Sequence, residues 1–302
     1  MEARGKIKSI QLQASYAFSK ALSDTSVERG LDAQLDNNNK SLERARAPWD
    51  LTHAFKLNHY VPLPFGAGQR FNPSNGILNR MVGGWALSGF VTVQYGAPVS
   101  LLDGGRGTLN RAARSGQNTV VTTDTLGQLQ ALTGVYKNGG SVYYINPSVI
   151  GPNGTGAAAD GSAPFAGQVF FNPDAGTVGS LQRRVLNAPG YNNYNFALVK
   201  DTKVTERQTL QFRADFYNIF NHPNFFTGDQ NINSVNFGKI TSQFYSADGV
   251  GPRLVQFGLY YKFYCTRTLI RERRNIRLGF CAVSVSSLFR SNRDRWIDPQ
   301  RP

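Results

Sequence analysis

The stretch Pro252-Arg253-Leu254-Val255-Gln256-Phe257-Gly258-Leu259-Tyr260-Tyr261-Lys262-Phe263 decides the fold. Val255, Phe257, Leu259, Tyr261 and Phe263 recur at every second position, and Gln256, Gly258, Tyr260 and Lys262 fall between them. A strand sends successive side chains to opposite faces. This one has an apolar face ending in aromatics and a face that is polar or small. Roughly ten residues of such alternation is what a tilted strand needs to cross a bilayer.

The same period recurs along the chain. Residues 8–19 set Ile10, Leu12, Ala14, Tyr16 and Phe18 against Gln11, Gln13, Ser15, Ala17 and Ser19. Residues 51–61 set His53, Phe55, Leu57, His59 and Val61 against Thr52, Ala54, Lys56, Asn58 and Tyr60. Residues 85–95 put Trp85, Leu87, Gly89, Val91, Val93 and Tyr95 on one face; Phe90 falls among Ser88, Thr92 and Gln94 on the other. Residues 191–202 and 207–220 flank a very short turn and read as a hairpin. In the second of these, Leu210, Phe212, Ala214, Phe216 and Phe220 oppose Thr209, Gln211, Arg213, Asp215 and Tyr217.

The connections alternate in length. Between the strands lie a long Asn-rich loop (24–50), a shorter connector ending at Gly83-Gly84, a very long segment (97–190), the tight turn, and another long loop (221–251). Transmembrane barrels have long external loops and short periplasmic turns. That places Phe263 at the periplasmic end of its strand. A soluble β-sandwich also alternates apolar and polar residues. Two features favour the barrel. Gln, Asn, Lys, Arg and Asp occupy mid-strand polar positions, as a wet lumen allows. Aromatics gather near strand ends, as at a membrane interface. The interfacial candidates are Tyr16, Phe18, Trp85 and Tyr95. The lumen-facing candidates are Gln11, Gln13, Gln211, Arg213, Asp215 and Gln256, with Arg213 and Asp215 placed to form an ion pair.

The chain has 302 residues, of which 40% are hydrophobic, 17% charged and 12% aromatic. Charge is sparse and aromatics plentiful, which does not describe a disordered chain. The net charge is +14. Much of the excess sits in residues 264–302, which hold nine arginines against Glu272, Asp294 and Asp298. This tail also carries both cysteines, Cys265 and Cys281, at no metal or redox spacing. Its arginine clusters lack a supporting nucleic-acid-binding motif and read as a solvated tail, so no nucleic-acid partner is expected. The first residues contain no apolar signal-peptide core, and no apolar run is long enough for a transmembrane helix. Because an outer-membrane barrel needs an export signal, the natural N-terminus is expected upstream of Met1.

No catalytic set emerges, and neither enzyme activity, cofactor nor metal is expected. His53 and His59 share a strand face, but six residues apart they are too distant for a metal pair. Asp103-Gly104-Gly105-Arg106-Gly107 lacks the lysine and the strand–loop–helix context of a phosphate loop and reads as a turn.

Several strings resemble the C-terminal barrel of TonB-dependent outer-membrane receptors of the Oar-like group. They are Ser15-Tyr16-Ala17-Phe18-Ser19-Lys20, Leu63-Pro64-Phe65-Gly66, Gly83-Gly84-Trp85-Ala86-Leu87-Ser88-Gly89, the run from Gln211 through Asp215-Phe216-Tyr217-Asn218-Ile219-Phe220-Asn221-His222-Pro223-Asn224-Phe225, and Pro252-Arg253-Leu254-Val255-Gln256-Phe257. The resemblance implies a barrel of about 22 strands, an internal plug, energy from TonB, and ligand uptake across the outer membrane. It makes Val255, Phe257, Leu259, Tyr261 and Phe263 the closing strand, with Phe263 as the terminal aromatic read by the barrel-assembly machinery. The expected fold is therefore all-β: an antiparallel transmembrane barrel segment of about six strands with long external loops. Residues 1–263 form its C-terminal part, and residues 264–302 lie outside the fold. The implied partners are outer-membrane lipid, TonB, the assembly machinery, and the missing N-terminal barrel and plug. The alternative is a soluble all-β ligand- or carbohydrate-binding protein using loops 97–190 and 221–251.

Overall fold

In the computed structural model, eight strands pair neighbour to neighbour in chain order, every pair antiparallel. They are β1 (Glu2–Ile7), β2 (Ile10–Phe18), β3 (His53–Pro62), β4 (Trp85–Gln94), β5 (Tyr191–Thr205), β6 (Gln208–Tyr217), β7 (Leu254–Phe263) and β8 (Val285–Ser291). The structure describes residues 1–7, 9–24, 34–36, 38–105, 116–243, 251–263 and 285–291. All six expected strands are present, with ends shifted by at most three residues, and the sheet has eight strands rather than six. Among the described residues β1 and β8 do not pair with each other, so the sheet is open.

Two strands stand beside the six that the sequence reading expected. β1 was not expected at all. β8 falls in the segment placed outside the fold, yet it pairs with β7 from Val255 opposite Ser291 to Tyr261 opposite Val285. The outer edge of β7 offers a row of backbone donors and acceptors to any segment able to extend. Cys265, Cys281 and the Arg271–Arg274 cluster lie outside the described residues.

Directly opposed residues share a face, so the register shows whether the separate alternations agree. They do. Leu12 opposes His59, His59 opposes Gly89, Gly89 opposes Phe196, Phe196 opposes Phe216, and Phe216 opposes Val255. The neighbouring row runs Gln11, Tyr60, Ser88, Ala197, Asp215, Gln256. One face of the sheet is thus apolar from β2 to β7 and the other is polar, with Tyr60, Phe90, Tyr191, Tyr217 and Tyr260 the aromatic exceptions on the polar side. A single-residue slip in any pair would have broken this continuity.

The connections at one end are the β1–β2 turn, the two-residue turn Glu206-Arg207 and the connector 63–84. At the other end are segments 19–52, 95–190 and 218–253. The buried hydrophobic cluster lies entirely at this long-loop end. Val99, Leu101, Val120, Leu129, Ile145, Phe170, Leu186, Ile232 and Phe237 belong to it, and among the described residues none of β1–β7 does. The very long segment 97–190 has secondary structure of its own. Ser141–Ile145 pairs with Thr133–Asn138 on one side and Lys239–Ile240 on the other, and helix α2 (Leu126–Ala131) starts at a Thr125 capping box. The sheet's apolar face stays open, with Phe18 66% exposed and Leu12 42%. Leaving a Leu or Phe in water forfeits roughly 1.5–3 kcal/mol each. An uncovered apolar face of this width is therefore a surface built for a nonaqueous neighbour.

The connector 63–84 holds a short helix, α1 (Gly76–Val82), capped by the Asn75 side chain, which accepts from the Ile77 and Leu78 amides. Gly84 leaves it with φ +76°, and a Cβ there would sit 2.2 Å from the Asp201 carbonyl oxygen. Only glycine meets both conditions.

Candidate functional site

The long-loop end is a folded cap, and buried charges join its loops. Glu43 and Arg183 are 140 residues apart and form an ion pair with both side chains almost fully buried. The second carboxylate oxygen of Glu43 accepts from the Leu35 amide at 2.6 Å, and Arg183 also donates to Gln117 at 3.3 Å. Arg46 forms a second clasp, donating to Asp50 at 2.9 Å, Thr52 at 2.7 Å and Asn187 at 2.7 Å. Arg184 donates to the Arg46 carbonyl at 3.2 Å. The first and second long loops are thereby held as one body. Asp103 forms the expected turn: its Oδ1 accepts from the Gly105 amide at 2.8 Å, and Oδ2 accepts from Asn118 at 2.6 Å. Arg106 and Gly107 of that string lie outside the described residues.

Three asparagines fasten the third long loop to the strands. Asn218 sits at φ +47°, a left-handed conformation asparagine tolerates. Its amide donates to Asn195, and its side chain bonds both the His222 backbone and the Gly251 carbonyl. Asn221 accepts from the Arg253 amide, and Asn224 exchanges two bonds with the Asn192 backbone. A cavity of about 440 Å³ lies at the cap's base, lined by Thr133, Tyr144, Asn187, Asn192, His222 and Phe225 among others. A broader hollow of about 700 Å³ lies mainly against the polar face near Arg4, Lys6, Gln11, Gln13, Asn58 and Tyr60.

Tyr144 closes the smaller cavity, donating to the Asn187 carbonyl at 2.6 Å. Burial pushes its phenol well above the ordinary value of 10.0. The neutral phenol's contribution to cap stability is intact below a free phenol's pKa and is lost as pH rises above it. We expect alkaline thermal melts of the full chain to fall steeply above about pH 10. Tyr144→Phe should flatten that fall while lowering neutral-pH stability by roughly 0.5–1.5 kcal/mol for the lost hydrogen bond.

The sequence-derived candidates distribute as follows. Gln11, Gln13, Gln211, Arg213, Asp215 and Gln256 all occupy the polar face. Arg213 Nε meets the Asp215 carboxylate at 2.7 and 2.9 Å. Tyr16, Phe18 and Tyr95 converge on His53 at the cap end of the apolar face. The Tyr16 hydroxyl lies 2.7 Å from His53 Nδ1, and the Phe18 and Tyr95 rings lie 5.2 and 4.8 Å from the imidazole. Trp85 stands at the opposite end, edge-on to Phe212. Tyr261 and Phe263 pack together at that same end, where Phe263 opposes Gln208. His59 is not grouped with His53. Its ring lies over Gly89, where a Cβ would come within 2.3 Å, and against Phe196. Glu43, Arg183, Asn218 and Asn224 escaped the sequence reading; only the regular spacing of Asn218, Asn221 and Asn224 hinted at a role.

An apolar strand face left largely uncovered by the described residues, with aromatics at both its ends and loops gathered at one end, is the arrangement of a membrane barrel wall. A family described as an outer membrane beta barrel domain matches residues 3–256. The chain belongs to that family. No curated protein and no solved structure matches it. This barrel domain is embedded in the outer membrane, and the soluble alternative is set aside.

Proposed function

We propose that this barrel domain is the C-terminal part of a TonB-dependent, Oar-like receptor and serves ligand uptake. The observation that carries the reading is the cap. Two long loops from one end of the sheet share a buried core, the first long loop is clasped to them by Glu43–Arg183 and Arg46, and a cavity opens at the junction with the strands. Simple tethers between strands need no such core. In this reading the cap captures a bulky ligand outside the cell, and the polar face, carrying Gln211, Arg213, Asp215 and Gln256, lines the passage inward. The open edges of the sheet are completed by the remaining barrel strands, with a plug inside them and TonB supplying energy. β7, ending at the aromatic Phe263, acts as the closing strand recognised by the assembly machinery, and closure against the first barrel strand requires β8 to leave its edge. The group is a transporter in this account and performs no bond chemistry.

The test uses the chain fused behind an export signal in a Gram-negative host, with Cys265 and Cys281 replaced by Ser. A membrane-impermeant maleimide should label Ser162→Cys on intact cells and Arg207→Cys only after permeabilisation. Uptake of labelled ligand by the native strain should fall when either this gene or TonB is deleted. The reverse labelling pattern sinks the orientation, and uptake indifferent to TonB sinks the transport reading while leaving the barrel in place.

A further inference from the structure

We propose that the connector 63–84 is a second membrane contact: an in-plane anchor that seats α1 in the headgroup boundary of the turn-side leaflet, with anionic lipid headgroups against its arginines. The proposal rests on the apolar sheet face meeting lipid.

The first observation is which side of the sheet α1 occupies. Lys200 stands on the apolar face, opposite Trp85 and Phe212. An ammonium there would be expelled from the strand pattern unless something received it. Its Nζ donates to the carbonyls of Arg80, Met81 and Gly83 at 3.0, 2.7 and 2.9 Å. These are oxygens at the C-terminal end of α1, where a cation is favoured. The same Nζ lies 4.8 Å from the Trp85 ring, and Trp85 Nε1 donates to the Met81 carbonyl at 3.1 Å. The end of the helix is thus fastened on the lipid side of the wall, not beneath the lumen.

The second observation is what the helix presents. Ile77, Leu78 and Met81 share one helical face and are 75%, 48% and 64% exposed. No residue of α1 is buried. Phe65 and Phe71 pack together beside it, both exposed, with Arg70 over the Phe71 ring. On the polar side of the helix Asn79 bonds Asn72. The apolar patch is continuous with the apolar face through Trp85, so one lipid phase can cover both.

The third observation is charge. Residues 63–84 contain Arg70 and Arg80 and no acidic residue. A short helix with one apolar face, flanked by aromatics and arginines, has the composition of an interfacial segment. Anionic headgroups complement its charge. A protein partner at this patch would have to displace lipid from a position already level with the barrel's edge.

The test uses the full chain with Cys265→Ser and Cys281→Ser, carrying one environment-sensitive fluorophore at a time on Ile77→Cys, Met81→Cys, Leu12→Cys or Ser162→Cys. It is reconstituted into phosphatidylethanolamine and phosphatidylglycerol vesicles containing lipids brominated either near the headgroup or deep in the acyl chain. The probes at Ile77 and Met81 should shift to the blue and lose most of their emission to shallow bromine, less to deep bromine. The probe at Leu12 should be quenched by deep bromine and that at Ser162 by neither. If Leu12 is quenched but Ile77 and Met81 behave like Ser162, the anchor is overturned and the barrel reading stands. If Leu12 is also unquenched, both fall. Exchanging phosphatidylglycerol for phosphatidylcholine, or combining Arg70→Gln with Arg80→Gln, should weaken quenching at Ile77. No change in either case removes the headgroup part of the proposal.

Discussion

Leu57→Arg will destabilise the barrel wall by about 2–4 kcal/mol, and Asn58→Arg, one residue further, will change it by less than about 1 kcal/mol. Leu57 lies mid-strand on the apolar face, opposite Ala14 and Val91. An arginine there must hold its charge near the middle of the hydrocarbon. Asn58 points to the other face, opposite Gln13 and Phe90, where a long charged side chain finds water. The measurement is the unfolding free energy of the full chain in vesicles, from chemical denaturation. Phe18→Arg, at the cap end of the same face, supplies the depth control and should cost about 0–1 kcal/mol. Equal losses at Leu57 and Asn58, or a larger loss at Asn58, would show that the apolar face does not meet lipid. The comparison is sharp because the two positions are adjacent and differ only in the face that the register assigns them.

Glu43→Ala should loosen the cap by about 3–5 kcal/mol, the usual consequence of removing one partner from a buried ion pair. Arg183 keeps its burial and loses its carboxylate, and the Leu35 amide loses its 2.6 Å acceptor. Glu43→Gln retains an acceptor of similar shape and should fall between wild type and Ala. The double change Glu43→Leu with Arg183→Met should recover much of the loss, because two apolar groups need no desolvation of charge. Limited proteolysis of segment 19–52, alongside denaturation of the full chain, reads the effect. The sheet itself should be unaffected, so membrane retention of Glu43→Ala should match wild type. A Glu43→Ala cap within about 1 kcal/mol of wild type would show that the clasp contributes little beyond a solvated surface pair.

The wall of the barrel was legible because its signal is local. Period-two alternation needs only a dozen consecutive residues, and residues 252–263 display it without help from the rest of the chain. β1 escaped for the same reason. Its apolar positions are Ala3, Gly5 and Ile7, too small to stand out beside Glu2, Arg4 and Lys6. β8 lies in a tail whose arginines and cysteines obscure seven strand-forming residues. The cap was illegible because its core is assembled from scattered single residues. Val120, Phe170, Ile232 and Phe237 meet only after two long loops, 95–190 and 218–253, have folded together. The Glu43–Arg183 pair spans 140 residues and leaves no spacing to read. α1 covers seven residues, too few for a helical period, and its usable signs were Asn75 before it and Gly83-Gly84 after.

The chain-order meander also governs the sequence of events by which the protein matures. Every strand pair from β1 to β7 joins neighbours along the chain, so each hairpin can be laid beside the last without waiting for distant segments. The cap has no such freedom. In the proposed orientation its loops must cross the bilayer before Glu43 can find Arg183 or Asn224 can reach Asn192, and contacts of long sequence separation form slowly. The expected order of maturation is the wall first and the cap after it. A late intermediate should exist in which the strands are inserted while the outer loops remain protease-sensitive.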